Sequence, residues 1–175
     1  WLEDRSFDKI ADDRASEIVT ALENGDQAAI RSMFSNQALN EAEELDDSIL
    51  SAIEYYKGNL VSSNGTIATD ESQNGKKKTF KIRADYTILT DLETYNLYFI
   101  EKYNSEDENE NGLYLIWLSK DSEKDEYEGN YGAGIYFPSW INNHTCPATD
   151  FKKSFMQRIL QEKLWYFNGG MRVTL

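Results

Sequence analysis

The feature that most constrains the fold is a change of hydrophobic period at Gly58. Before this residue, apolar side chains recur every three or four positions, which is the spacing of one buried helix face. After it, in KTFKIRADYTIL at residues 78–89, apolar and polar residues alternate, as they do in a strand with one buried face. A block of helices followed by a block of strands predicts an α+β domain.

Three amphipathic helices account for the first block. Gly25 and Asp26 separate the first two, because glycine tolerates the left-handed backbone at a helix end and aspartate accepts hydrogen bonds from the next helix's free N–H groups. The third helix begins at Asp46-Asp47 and ends at Gly58. The three apolar faces consist of Phe7, Ile10, Ala11, Ala15, Ile18, Val19 and Leu22; Ile30, Met33 and Phe34; and Ile49, Ala52, Ile53 and Tyr56.

The second block predicts an antiparallel sheet that carries the three helices on one face. Strand-like segments occupy residues 59–69, 78–89, 94–103 and 113–120, separated by turn-rich or acidic loops at hairpin spacing. AGIYFPSW, at residues 133–140, is predicted to add a short closing strand. The predicted α+β domain therefore covers residues 1–137.

Residues 138–175 are predicted to be an extension of different character. Residues 1–146 hold 13 Lys and Arg against 29 Asp and Glu, whereas residues 147–175 hold 5 against 2. Pro147 and the stop at Gly169-Gly170 bracket an amphipathic basic helix at about residues 150–168. Such a helix can dock on its own domain, on a second copy or on a membrane, and its wide aromatic stripe favours its own domain.

DRASEIVTALENGDQAAIRSMFS at residues 13–35 and LDDSILSAIEYYKGNLVS at residues 45–62 together resemble known sequences. Their pattern of helix faces and breaks resembles the nuclear transport factor 2-like, or cystatin-like, superfamily. It is more closely similar to a family of exported bacterial domains of unknown function, commonly lipoproteins. The resemblance covers about residues 3–137. It implies helices packed on a curved, cone-like antiparallel sheet and an extracytoplasmic location in the bacterial cell envelope, and it implies no catalytic residue.

The overall composition limits the classes of partner that this chain is expected to bind. A formal net charge of −13 and a pI near 4.5 argue against nucleic acid and against an anionic membrane surface. The first residue is Trp1 rather than Met, so we expect a segment ahead of it, with a signal peptide as one candidate. Membrane contact is expected only through an N-terminal lipid anchor outside this chain. The remaining partner classes are a small ligand, another protein or a second copy in a homodimer, and no cofactor is indicated.

Few residues suggest catalysis. His144 and Cys146 lie two residues apart without a third orienting group, and they lack the further ligands that zinc requires. Asp85 alternates with the apolar residues of its strand, so we expect it on the solvated face. Glu101 shares the alternation of Tyr95, Leu97 and Phe99, which makes it the carboxylate candidate for a general base.

Two other sets of residues suggest binding. Tyr86, Tyr98 and Trp117 lie on predicted strands and are candidates for lining a ligand pocket. In the alternating pattern, Tyr98 and Trp117 also fall on the opposite face of the sheet from some of their apolar neighbours. This predicts that both faces of the sheet are covered. Asp107, Asn109 and Asn111 before Gly112 match the first half of a calcium loop, although its twelfth position is Leu118 rather than a glutamate.

Three functions follow as hypotheses. The first is a non-catalytic, cell-envelope domain that binds a small ligand or another protein. The second is a small-molecule isomerase or lyase that uses Glu101 as its base and Tyr98 as a polarising donor in one cavity. The third is a calcium-dependent scaffold or adhesion element that uses the acidic loops. The absence of a convergent acid, base and donor set in the sequence favours the first and weighs against an enzyme.

Overall fold

The computed structural model describes residues 2–42, 44–74, 77–123 and 133–136. Within these ranges the chain forms four α-helices and five β-strands, so the predicted α+β class is confirmed. The helices are α1 Leu2–Asn24, α2 Gln27–Ser32, α3 Asn36–Glu41 and α4 Leu45–Tyr55. The strands are β1 Leu60–Asn74, β2 Lys77–Thr90, β3 Thr94–Tyr103, β4 Gly112–Lys120 and β5 Ala133–Tyr136.

The break between α1 and α2 forms where the sequence predicts it. Gly25 adopts a φ of 60°, in the left-handed region, and ends α1. The Asp26 side chain accepts a hydrogen bond of 2.9 Å from the backbone N–H of Ala29 and caps α2. The chain therefore turns sharply between two amphipathic helices.

Helix α3 adds a short element that the hydrophobic period does not predict. Its N-cap is Ser35, whose hydroxyl accepts a hydrogen bond of 3.0 Å from the N–H of Ala38. Ala38 is fully buried, but a six-residue helix is too short to show a repeating stripe. The cap residue was the available signal for this helix.

The strands form one antiparallel sheet in the order β1-β2-β3-β4-β5, which is a simple meander. The predicted short closing strand is present as β5 and pairs with β4, from Leu115 opposite Tyr136 to Leu118 opposite Ala133. The register shifts at two places, between Leu60 and Ser62 of β1 and between Ile100 and Glu101 of β3.

The helices cover one face of the sheet, here called the inner face. On β2 the inner residues are Ile82, Ala84, Tyr86 and Ile88, in agreement with the alternation of the sequence. Together with helix side chains they form one apolar core. The largest fully buried side chains are Tyr95, Phe99, Ile18, Ile30, Ile49, Ile82, Ile88, Leu97, Leu113, Ile116 and Leu118.

The start of β4 is joined directly to the α2–α3 connection. Leu113 accepts a hydrogen bond of 3.1 Å from Ser35 and donates one of 2.9 Å to the carbonyl of Met33. Gly112 has a φ of 124°, and a Cβ atom there would lie 2.8 Å from the Ser35 nitrogen. Glycine is therefore required for β4 to approach the helix layer this closely.

Candidate functional site

Glu101, the candidate base, lies on the inner face near the end of β3. The residue is only 4% exposed, and the strand register shifts beside it, so that Glu101 lies opposite Leu113 of β4. An ionised carboxylate in such a position requires a partner. The structure supplies that partner from α1, at a sequence distance of 87 residues.

The partner is Arg14, which holds both carboxylate oxygens of Glu101. Its Nε donates to Oε2 at 3.0 Å and its Nη2 donates to Oε1 at 2.7 Å. The third guanidinium nitrogen, Nη1, donates to Glu17 at 2.5 Å on the surface of α1. A two-pronged contact of this kind fixes both side chains and joins the middle of α1 to the sheet.

The electrostatics of Arg14 follow from this arrangement. Burial by itself lowers the pKa of the guanidinium, but the hydrogen bond and charge of Glu101, with those of Glu17, outweigh burial and raise the pKa above its ordinary value. Arg14 is therefore a permanent cation at the inner end of this pair. Each oxygen of Glu101 accepts one hydrogen bond from Arg14, so the pair fixes the position and orientation of the carboxylate.

The suggested partnership of Glu101 with Tyr98 is wrong, because the two side chains lie on opposite faces of the sheet. Leu97, Phe99 and Glu101 point towards the helices, whereas Tyr98 pairs with Trp117 on the other face. The strand has no irregularity against β2 between these positions, so the alternation is unbroken. Glu101 and Tyr98 therefore do not share a cavity.

The three aromatic pocket candidates are also divided between the faces, so they do not line one pocket. Tyr86 belongs to the inner face, where its ring stacks on Phe99 at 6.1 Å between ring centres. Its hydroxyl donates a hydrogen bond of 2.6 Å to Asp12 of α1. Burial, together with this bond and the negative charge of Asp12, raises the pKa of Tyr86 above its ordinary value. Tyr86 is thus part of the helix–sheet junction.

Tyr98 and Trp117 belong to the opposite, outer face of the sheet. They are cross-strand partners, and the next pair along, Ile100 and Leu115, places two more apolar side chains beside them. We call these four residues the outer aromatic patch. Tyr98 is 7% exposed and Trp117 is 3% exposed, although the described helices pack on the inner face. Both sheet faces are therefore buried at β3 and β4, as the alternation of Tyr98 and Trp117 predicts.

The half-match to a calcium loop lies at the β3–β4 hairpin tip, around a 3₁₀ turn at Glu108–Glu110. Asp107 Oδ1 accepts hydrogen bonds of 3.0 Å from the backbone and side-chain nitrogens of Asn109. Asn109 accepts from Asn36 of α3 at 3.3 Å, and Asn111 accepts from the backbone of Ser105 at 2.7 Å. These oxygens thus hold the tip together and connect it to α3.

The remaining candidates concern metal binding, membrane contact and residues that follow β5. Across the described ranges, no group of three or more His, Cys, Asp or Glu side chains is arranged to hold a metal ion. None of the described helices is long and apolar enough to cross a membrane. His144, Cys146 and the predicted helix at about residues 150–168 lie outside the described residues.

In the part of the chain that the structure describes, the helices and the sheet of this α+β domain enclose an apolar core and the Arg14–Glu101 ion pair. The family model described as a domain of unknown function, DUF5104, matches residues 17–121, and the chain belongs to that family. The match covers the second part of α1 through the end of β4. No curated protein matches the sequence.

Proposed function

We propose that the chain is a non-catalytic binding or interaction domain of the bacterial cell envelope. The observation that carries this proposal is the way in which side chains contact and pack against one another on the inner face. Its buried carboxylate, Glu101, has both oxygens bonded to Arg14, and its neighbours are apolar side chains packed against the helices. A catalytic base needs a substrate within hydrogen-bond distance, whereas the contacts of Glu101 with Arg14 and its apolar surroundings support a structural role.

The proposed fold is a nuclear transport factor 2-like, or cystatin-like, cone. Helices that precede an antiparallel meander and pack on one of its faces support this proposal. The register shift beside Glu101 also supports it, because an extra residue in one strand bends a sheet locally. The extracytoplasmic location rests on the resemblance of residues 3–137 to exported bacterial domains.

The test of the non-catalytic proposal is a fragment screen followed by NMR with side-chain methyl labels on the inner face. The relevant reporters are Ile82 and Leu113, which lie opposite Glu101 on β2 and β4. We expect no fragment to shift these signals without unfolding the protein. A fragment that binds there would contradict the closed packing of the inner face, and turnover of such a compound that is lost in Glu101→Gln would overturn the proposal and restore the enzyme hypothesis.

The location is tested separately, by fractionating the source bacterium with an antibody against this domain. We expect the protein in the envelope fraction, where protease added to intact cells degrades it. Protection from the protease together with recovery in the cytoplasm would contradict the location. That result would leave the non-catalytic proposal standing, because it rests on the inner face alone.

The second part of the proposal concerns the outer aromatic patch. Tyr98, Ile100, Leu115 and Trp117 are buried on a face where none of the described helices lies. Strand β5, the last of the described strands, pairs with the β4 residues of this patch. We therefore propose that residues 138–175 form a C-terminal extension, with a helix at about residues 150–168, whose apolar stripe covers the patch.

Tryptophan fluorescence tests whether residues 138–175 cover the outer aromatic patch. Trp117 becomes the sole tryptophan when Trp1, Trp140 and Trp165 are changed to Phe. In that background, removing residues 138–175 should shift the Trp117 emission to longer wavelength, and a separate peptide of residues 138–175 should reverse the shift. An unchanged emission maximum in a truncated chain that still unfolds cooperatively would overturn the cover. A peptide with the same composition in scrambled order is the control.

A further inference from the structure

Strand β1 forms one edge of the sheet and lies at the opposite end from β5. Among the described strands it pairs with β2 alone, and its residues 60–66 are exposed on both faces. The helix layer contacts β1 at Leu60, whose N–H donates to Glu23 of α1, but it leaves residues 60–66 exposed. The outer side of such a strand presents backbone N–H and C=O groups in the spacing that another strand requires.

This edge has few of the features that usually prevent strand addition. Residues 62–69 contain no charged residue and no proline, and eight residues span about 26 Å of strand. The register shift at Val61 disturbs only the beginning of β1. At the far end, Asp70 pairs with Arg83 at 2.8 Å and Glu71 pairs with Lys78 at 2.9 Å, so these carboxylates are neutralised within the chain.

We propose that β1 is a self-association edge, where a second copy of this chain adds its own β1 in antiparallel orientation around a two-fold axis at Gly65. This register places Asn64 opposite Thr66, Ser63 opposite Ile67 and Ser62 opposite Ala68. The neutral segment thus pairs with itself, and the sheets of two copies join into one continuous sheet.

The self-complementary neutral segment points to a second copy as the occupant, and the acidic residues that follow it set this register. With the axis at Gly65, Asp70 lies opposite Leu60 of the second copy and Glu71 lies opposite Asn59. No carboxylate of β1 therefore faces another carboxylate, although each copy carries a formal net charge of −13. Moving the axis towards the C-terminal end of β1 would bring the acidic residues of the two copies together, which is unfavourable.

The centre of the edge is also shaped for close pairing. Gly65 has no side chain, and the ring of its cross-strand partner Tyr86 occupies the inner side of that position. Tyr86 is 2% exposed, so the ring is supported by the core. The glycine at the axis is thus held by its neighbour, which offsets the weakening that glycine causes in a strand.

Sedimentation velocity of the full chain tests the proposal. At about 100 µM protein, where a dissociation constant of about 100 µM or tighter populates the dimer, we expect a concentration-dependent dimer. The variant Asn64→Lys/Thr66→Lys places lysine opposite lysine twice, and we expect its dimer to be roughly tenfold weaker or more. The matched control Leu50→Lys/Ser51→Lys adds the same charge to the exposed side of α4 and should associate like the natural chain.

A charge-swap experiment fixes the register. The variant Asn64→Glu/Thr66→Glu should be monomeric alone, and mixing it with the lysine variant should restore dimers, because lysine then lies opposite glutamate. Far-UV circular dichroism of each variant shows whether it is folded. If a variant fails to fold, hydrogen exchange of the natural chain replaces it, with slower exchange of the residue 62–69 amides expected at high protein concentration.

The salt dependence of self-association is an independent test of the proposal. Association between two strongly acidic copies should become tighter as salt rises from about 20 to 500 mM, since repulsion is screened. A monomer at all concentrations would overturn the proposal, as would a dimer that the edge variants leave unchanged. The edge is remote from β4 and β5, so neither result depends on what covers the outer aromatic patch.

Discussion

The ring of Tyr86 lies against Gly65 and reaches past it to Asp12. A Cβ atom at residue 65 would lie 2.5 Å from Cγ of the ring and 2.7 Å from Cε1, which is closer than packed carbon atoms approach. The hydroxyl of the same ring donates to Asp12 of α1 at 2.6 Å. A glycine on the edge strand thus allows a tyrosine of β2 to join the sheet to α1.

Gly65→Ala should therefore destabilise the fold by about 1–3 kcal/mol, because the added methyl group displaces the Tyr86 ring from a packed position. Urea unfolding followed by circular dichroism measures the change. Ser63→Ala is the matched control, since Ser63 is an exposed residue on the same strand and face, and its change should stay within about 0.5 kcal/mol. Equal midpoints for the two variants would contradict the close packing at Gly65.

The ion pair of Arg14 and Glu101 permits a second comparison at this scale. Glu101→Gln removes the partner of a partly buried guanidinium, so we expect a loss of about 2–4 kcal/mol. Glu17 also contacts Arg14, but its side chain is 56% exposed, so Glu17→Gln should cost less than about 1 kcal/mol. Urea unfolding at neutral pH distinguishes the two variants.

A double change shows whether the pair is structural. Arg14→Met/Glu101→Met removes both charges and keeps similar volume, so it should recover most of the stability lost in Glu101→Gln. Equal effects of Glu101→Gln and Glu17→Gln would contradict the importance of the pair for folding.

At the scale of elements, strands with one solvated face were the most predictable from sequence. Strand β2 alternates strictly, so its inner residues were assigned correctly. Almost every residue of β4 is buried, and the two faces cannot be distinguished by hydrophobicity alone in such a strand. The Arg14–Glu101 contact was not predictable, because it joins residues far apart in the chain through a register shift.

The β3–β4 hairpin tip yields a prediction about calcium. Its side-chain oxygens already accept hydrogen bonds within the tip and from α3, so a cation would have to replace those bonds. We expect the melting temperature in 10 mM calcium chloride to stay within about 1 °C of its value with chelator. A site with a dissociation constant of about 0.1 mM would add about 2.7 kcal/mol and raise the melting temperature by several degrees.

Magnesium chloride at the same concentration is the control for ionic strength. A rise specific to calcium, removed by Asp107→Asn, would contradict the prediction and support the calcium-dependent scaffold hypothesis. A shift within about 1 °C is easily distinguished from a rise of several degrees, so one thermal scan per condition is sufficient.

At the scale of the whole molecule, tyrosine hydroxyls join the helix layer to the sheet at widely separated points. Each hydroxyl donates to or accepts from a group on another element, so one phenol contributes both apolar burial and a hydrogen bond. The contacts are Tyr86 to Asp12, Tyr95 to the Lys57 amide, Tyr114 to Gln37, and Tyr55 to Glu123 and the Lys120 amide.

These phenols make the stability of the whole fold sensitive to alkaline pH. Burial raises the pKa of Tyr114 to about 12, in spite of a hydrogen bond with Ser35 that acts in the opposite direction. Burial likewise raises the pKa of Tyr55, Tyr86 and Tyr95. An unfolded tyrosine ionises near pH 10, so above that pH the unfolded state has released protons that the native state retains. The free energy of unfolding then falls as pH rises.

We therefore expect the ionisation of these tyrosines to leave the melting temperature unchanged up to about pH 9. Between about pH 10 and 12 it should lower the melting temperature. Tyrosinate absorbance at 295 nm, recorded with circular dichroism, should show one group of tyrosines ionising early and another ionising only as the fold is lost. Tyr86→Phe keeps the ring but removes the hydrogen bond to Asp12, so it should cost about 1 kcal/mol at neutral pH and make the alkaline decline shallower. Complete ionisation of the tyrosines near pH 10 with the circular dichroism spectrum unchanged would contradict the assignment of these buried phenols as the contacts that hold helices and sheet together.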